Sequence, residues 1–135
     1  YGRPVSIVVD LPSVPVWIYF DLSQLEQILT NLCSNGLRYS EKATGEMKII
    51  LRAYVHSVLD IPCLDVVDYG AGLNAQQSQQ VFEPFFTTEA KGTGLGLYIA
   101  RELCLANQAS LEYRHTQEGL SCFQISFSHS SRMIV

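Results

Sequence analysis

Residues 31–39 read N-L-C-S-N-G-L-R-Y and residues 92–97 read G-T-G-L-G-L; D-Y-G-A-G at 68–72 and F-E-P-F-F-T-T at 82–88 lie between them. An amide-bearing helix, an acid followed by glycines, an aromatic loop and a glycine-rich helix start thus occur in one fixed order. A single glycine-rich string is a weak signal, whereas four motifs in sequence constrain the fold. The first sits on an amphipathic helix, because Leu22, Leu25, Ile28, Leu29 and Leu32 recur at a 3.6-residue period. Asp21 reads as its N-cap, with Gln24 three residues on as the reciprocal partner. Asn31, Asn35 and Arg38, spaced i, i+4, i+7, fall in one narrow arc that Gln24 and Gln27 extend. Residues 41–45 read as a polar loop.

Outward from that helix, residues 5–10 and 16–20 are β-rich runs separated by a turn at Pro12 and Pro15. Residues 47–55 and 64–67 read as two further strands, the second buried on both faces. A short helix is expected within 74–81, a second clear helix over 94–107, and a closing hairpin of 110–114 with 121–127. The stretch 73–91 is long for a connection inside a compact domain, and such loops are usually functional. Strands and helices do not alternate as in a doubly wound sheet. The order fits an α+β, two-layer α/β sandwich, with a mixed, mostly antiparallel sheet carrying helices on one face. Residues 1–135 are expected to form a single domain.

At 135 residues the chain is large enough to bury a core of its own, and 47% hydrophobic against 16% charged residues is a globular composition. A net charge of −4 argues against a nucleic-acid platform, which normally shows a basic face. No apolar run approaches the roughly 20 residues of a membrane span, and no signal peptide pattern opens the chain. The sequence around Tyr1 reads as mid-protein, so a fragment of a longer protein is expected. Cys33, Cys63, Cys104 and Cys122 have no C-x-x-C spacing, and His56, His115 and His129 complete no metal pattern. The cysteines sit in apolar stretches and read as buried reduced thiols, which suits the cytosol.

Carboxamide oxygens such as those of Asn31 and Asn35 are hard ligands suited to Mg²⁺, and the Arg38 fork suits phosphate. Asp68 follows a buried strand and precedes Gly70 and Gly72. Its ionised carboxylate only accepts hydrogen bonds, so it suits the N6 amino group of adenine and opposes the O6 acceptor of guanine. A buried mismatch of that kind costs roughly 1–3 kcal/mol. Gly92, Gly94 and Gly96 lead into a helix whose free N–H groups and dipole form an anion site, with Thr93 adding a hydroxyl. No Lys-Ser/Thr pair makes this a Walker A loop, and no βαβ unit makes it a dinucleotide fingerprint.

The four motifs resemble the N, G1, F and G2 boxes of the ATP-binding domain of bacterial sensor histidine kinases, in the Bergerat-fold (GHKL) superfamily shared with gyrase, Hsp90 and MutL. The resemblance covers nearly the whole chain and implies the same fold, with ATP and Mg²⁺ as cofactors. It implies that Asn35 coordinates the metal, that Asn31 and Arg38 lie by the metal and phosphates, and that Tyr39 lines the nucleotide pocket. Asp68, Gly70, Gly72, Phe82, Thr87, Thr88, Lys91, Gly92, Thr93, Gly94, Leu95, Gly96 and Leu97 complete the implied ATP site. Phe82, Pro84, Phe85 and Phe86 belong to the implied lid, which touches the helical domain carrying the phosphoacceptor.

The gyrase-like branch carries a general-base glutamate where this chain has Asn31, and an amide takes no proton near neutral pH. That disfavours hydrolysis and favours the kinase branch, with anti-sigma serine kinases as a nearer competitor and a degenerate ATP/ADP-sensing module as an alternative. The histidines lack the flanking acid and proline of the family's acceptor, so the acceptor is expected on a preceding region of a homodimeric parent. A response regulator is the implied onward partner, and the bacterial inner membrane the implied location of the parent, with this domain cytoplasmic. Residues 98–113, with the ending S-C-F-Q-I-S-F-S-H, resemble the type IV pilus (PilS-like) sensor kinases.

Overall fold

The structure, a computed structural model, describes residues 4–87 and 94–127. Thr88, Lys91, Gly92, Thr93 and His129 lie outside the described residues. The chain order is β1 (Val5–Asp10), α1 (Leu22–Thr44), β2 (Met47–Val55), β3 (Pro62–Asp68), α2 (Ala75–Gln80), α3 (Gly96–Ala106), β4 (Ser110–His115) and β5 (Ser121–Ser126). The strands form one five-stranded sheet in the order β1-β2-β3-β5-β4. β1 runs parallel to β2, and the other three pairings are antiparallel. This is the expected α+β sandwich, with α1 packed on β2 and β3 and against α3.

Period-2 alternation sends Ile49, Val66, Leu111, Phe123 and Ile125 to the face where Ile28, Leu32, Ala100 and Cys104 meet them. Burial of that apolar surface is the main driving force of the fold. On the opposite face, the fully buried Asp65 accepts from Tyr54 Oη at 3.1 Å and Arg114 Nη2 at 2.9 Å. The four cysteines are free, and Cys63, Cys104 and Cys122 are buried. Burial pushes the Cys104 thiol up to about 11 and, with Asp65 nearby adding to the effect, Cys122 up to about 12. These thiols pack as small hydrophobes. Among the described residues, no helix is long and apolar enough to cross a membrane.

Three expectations need correction. First, Asp21 does cap α1, its Oδ1 accepting the Gln24 N–H at 2.9 Å, but the reciprocal half of the box is missing. The Asp21 N–H instead donates to Asn107 Oδ1 at 3.0 Å, and Asn107 Nδ2 donates to Gln24 Oε1 at 2.7 Å. Asn107 is the C-cap residue of α3, so a long-range partner replaces the local one and ties two helix ends together. The complete capping box lies at α2, between Asn74 and Gln77.

Second, α1 does not stop at a polar loop after residue 40 but runs to Thr44. Gly45 ends it at φ +81°, donating its N–H to Glu41 O at 2.8 Å. The last turn is polar because it leaves the core, which makes it read as a loop. Third, residues 16–20 join no ladder. Both neighbours of β2 are already taken by β1 and β3. The alternation survives without pairing: Ile18 and Phe20 pack on the core while Trp17 and Tyr19 face outward.

Candidate functional site

The polar arc of α1 faces the first turn of α3. Asn31, Asn35, Arg38 and Tyr39 on one side and Gly94, Gly96 and Leu97 on the other line a cleft of roughly 230 Å³, with Phe86 and Thr87 closing it. Asn31 Nδ2 donates to the Gly96 carbonyl at 3.2 Å and joins the two helices. The N-cap position of α3 is Leu95, whose side chain has no group to cap the helix. A helix start of this kind has backbone N–H groups for an anion and a favourable dipole.

Asn35 is 7% exposed, its Oδ1 accepts from Arg38 Nη2 at 3.4 Å, and its Nδ2 has no hydrogen-bond partner among the described residues. A buried amide left partly unsatisfied is costly, roughly 1–3 kcal/mol, and points to a ligand atom as the missing partner. Half a turn of the carboxamide, which gives up the 3.4 Å bond from Arg38, would present a hard oxygen donor there instead. The amide pair therefore fits a hydrated Mg²⁺ shared with phosphate.

Gly94 shapes the entrance to α3. It holds φ +73° and accepts a 2.8 Å hydrogen bond from the Phe85 N–H. A Cβ here would stand 2.3 Å from the Phe85 carbonyl carbon, so only glycine fits. The neighbouring aromatics divide their tasks. Phe82 packs edge-on against Phe123 at 6.0 Å, with the Arg101 guanidinium 5.4 Å over its ring. Phe86 also packs on the core while forming part of the cleft wall. Phe85 is 74% exposed.

Asp68 ends β3 with 1% exposure, between its ladder partners Ile49 and Ser121. Its Oδ1 accepts the Gly70 N–H at 2.8 Å, and its Oδ2 makes no hydrogen bond among the described residues. Burial drives its carboxyl up to about 6, although the Gly70 N–H and the nearby Ser121 hydroxyl pull the other way. Two glycines let the chain close around it. A Cβ on Gly36 would lie 3.0 Å from Ile49 and 3.9 Å from Asp68 Oδ2; one on Gly70 would lie 2.8 Å from Tyr39 Cβ. Beyond Tyr39 a second cleft of roughly 310 Å³ is lined by Lys42, Gly72, Leu73, Gln77 and Ser121 among others. Tyr39 is thus the shared wall of the two clefts.

The structure brings Asn31, Asn35, Arg38, Tyr39, Thr87, Gly94, Gly96 and Leu97 to one cleft, and Tyr39 and Gly72 to the adjoining one. Gly70 touches Tyr39 and Asp68, while Phe82 lies on the core side. Leu95 occupies the N-cap position of α3. The motifs alone did not single out Ser34, Gly36, Ser121 or Tyr113. A glycine inside an amphipathic helix was the available signal for Gly36. Ser121 and Tyr113 are placed only by strand register.

A two-layer sandwich with an amide-bearing helix facing a glycine-led one defines a nucleotide-site module. The chain belongs to the histidine kinase-, DNA gyrase B- and HSP90-like ATPase family, which matches residues 20–131. It is 50% identical over 113 residues to the sensor protein kinase PilS of Pseudomonas aeruginosa, covering 84% of this chain and 21% of that protein. The chain therefore spans about a fifth of that relative's length. Among solved structures, the mycobacterial sensor histidine kinase MprB superposes with TM-score 0.75 at 23% identity, over 91% of this chain and 80% of that one. Full-length ShkA in complex with AMPPNP gives TM-score 0.73 at 24% identity, over 91% of this chain and 25% of that one. At such identities both structures speak for the fold.

Proposed function

We propose that this chain is the ATP-binding catalytic domain of a two-component sensor histidine kinase. It holds Mg²⁺-ATP so that the γ-phosphoryl group passes to a histidine on a separate helical domain. The observation that carries this reading is a pair of buried atoms without a hydrogen-bond partner among the described residues: Asn35 Nδ2 at the α1–α3 cleft, and Asp68 Oδ2 on the residue paired with Ser121, which lines the adjoining cleft. An adenine N6 amino group at Asp68 and a metal-bound phosphate at Asn35 would satisfy both. ShkA, a protein that shares this fold over 91% of the present chain, is solved in complex with AMPPNP, which supports an adenine triphosphate as the ligand.

Asp68 accepts from the base, and Tyr39 walls the pocket on which the purine lies. Asn35, with Asn31 beside it, would hold Mg²⁺, which supplies charge neutralisation to the phosphates. Arg38 and the first-turn N–H groups of α3 orient the phosphate oxygens, and Thr87 borders them; Thr88, Lys91, Gly92 and Thr93 belong to the same proposed lid and phosphate site. Catalysis of phosphoryl transfer is then mainly positioning and electrostatics. No carboxylate stands one helical turn before Asn35, since Asn31 occupies that place, so water lacks a general base there.

Partners follow from the same reading: the protein's own dimerisation and phosphoacceptor domain, against which exposed Phe85 docks, and a response regulator. The parent is a homodimer in the bacterial inner membrane, with this domain in the cytoplasm and, by likeness to PilS, a role in type IV pilus control. The test is phosphotransfer from γ-labelled ATP in the full parent protein. An acid-labile label that disappears in Asn35→Ala is expected, and this chain by itself stays unlabelled. ATP binding with no label in the parent would contradict the kinase reading and leave a binding module.

A further inference from the structure

The G1 motif ends in a loop at Gly72 and Leu73 whose placement depends on one phenol. Tyr113 Oη accepts the Leu73 N–H at 2.9 Å and the Ser121 hydroxyl at 3.0 Å. Both lone pairs of the phenol oxygen are thereby used, leaving its own proton to donate. His115 Nε2 lies 3.3 Å away and takes that proton's bond in the tautomer that leaves this nitrogen free to accept. The ring is held independently of its hydroxyl, edge-on to Phe123 at 5.2 Å and to His115 at 5.4 Å. Gly72, at φ +81°, closes over the pair: a Cβ there would meet Tyr113 Oη at 3.2 Å and His115 Nε2 at 3.3 Å.

These bonds connect two parts of the site that the sheet alone does not join. Ser121 is the ladder partner of Asp68, while Leu73 and Gly72 line the cleft beyond Tyr39. We infer that Tyr113 is a positioning residue for nucleotide binding: its hydroxyl, oriented by His115, locks the Gly72–Leu73 loop to the strand beside Asp68 and so sets the adenine pocket. The inference rests on the ATP-site reading above. It concerns the base end of the site alone, because Tyr113 does not line the cleft at the α3 mouth.

The test compares ADP with inorganic tripolyphosphate by calorimetric titration in the presence of Mg²⁺, with amide exchange at Leu73 followed by NMR. Tyr113→Phe keeps the ring and removes the acceptor. Loss of one hydrogen-bonded acceptor predicts ADP affinity lower by about fivefold and Leu73 exchange faster by about tenfold. Tripolyphosphate affinity stays unchanged. His115→Ala lowers ADP affinity by about twofold, and His115→Gln, which keeps an acceptor, restores it. Unchanged ADP affinity in Tyr113→Phe, or an equal loss for both ligands, would overturn the inference while leaving the ATP site intact. A wild-type chain that binds no ADP would overturn the ATP-site reading itself.

Discussion

Asn31 Nδ2 and the Gly96 carbonyl, 3.2 Å apart, join the amide-bearing helix to the glycine-led helix at the point where the phosphates are proposed to sit. The bond uses the amide nitrogen and leaves the oxygen for a ligand. Asn31→Asp keeps the oxygen but turns the donor into a second acceptor facing a carbonyl. It is expected to cost roughly 1–2 kcal/mol in the folded chain. Asn31→Ala, which removes both atoms at a partly exposed position, should cost less. Thermal unfolding of the two variants checks the order.

Gly94 and Gly96 are only two residues apart, yet they predict opposite outcomes. Gly94→Ala must relieve both a positive φ and a 2.3 Å approach to Phe85, whereas a Cβ on Gly96 meets nothing within 4 Å. The first substitution is expected to lose at least about 2 kcal/mol, from left-handed strain plus displaced lid backbone, and to weaken ATP by more than tenfold. Gly96→Ala, in the first turn of α3, should retain the fold and bind within a fewfold of wild type. Denaturant melts and nucleotide titration distinguish them.

Asp68 gives a pH signature. Its carboxyl is raised from 3.8 to about 6, chiefly by burial, which disfavours ionisation by roughly 3 kcal/mol. Between these two values the folded chain holds a proton that the unfolded chain has released. Stability is therefore greatest below pH 4 as far as this group is concerned, and falls as pH rises to about 6. Adenine requires the ionised acceptor, so nucleotide affinity should rise with pH through about 6 and level off above it. Asp68→Asn should flatten both dependences. Comparing it with wild type on the same nucleotide cancels the titration of the phosphates.

Asn107 holds three partners at once: the Asp21 N–H, Gln24 Oε1 and the Leu103 carbonyl at 2.8 Å. Asn107→Ala is expected to destabilise the chain by about 1–2 kcal/mol, more than an exposed cap alone. Asp21→Ala, which removes the local cap, should cost about 1 kcal/mol. Because the two share a partner, the double variant should lose less than the separate losses added. Urea melts of the three variants test the coupling.

The elements that were legible in the sequence are those whose pattern is local. The period of Leu22 to Leu32 gave α1, and the punctuating Gly92, Gly94 and Gly96 marked the approach to α3. Residues 16–20 carried a strand's alternation but pair with no strand, β2 being flanked on both sides by β1 and β3, a fact no local window contains. The Asp21 box failed for the same reason: Asn107 is 86 residues away. At the site, the α1 arc and the α3 mouth could be read because each is set by one helix. The roles of Ser121 and Tyr113 arise from register across β3, β5 and β4, and the division among Phe82, Phe85 and Phe86 arises from how the loop packs.

The central claim is that one cleft system holds the metal-bound triphosphate at Asn35 and the adenine at Asp68. Calorimetric titration of Mg²⁺-ATP and Mg²⁺-GTP into wild type, Asn35→Ala and Asp68→Ala tests it most directly. The account predicts ATP binding in wild type, clear preference over GTP, and at least a tenfold loss in each variant. Equal affinity for the two nucleotides, or unchanged ATP affinity in both variants, would contradict it.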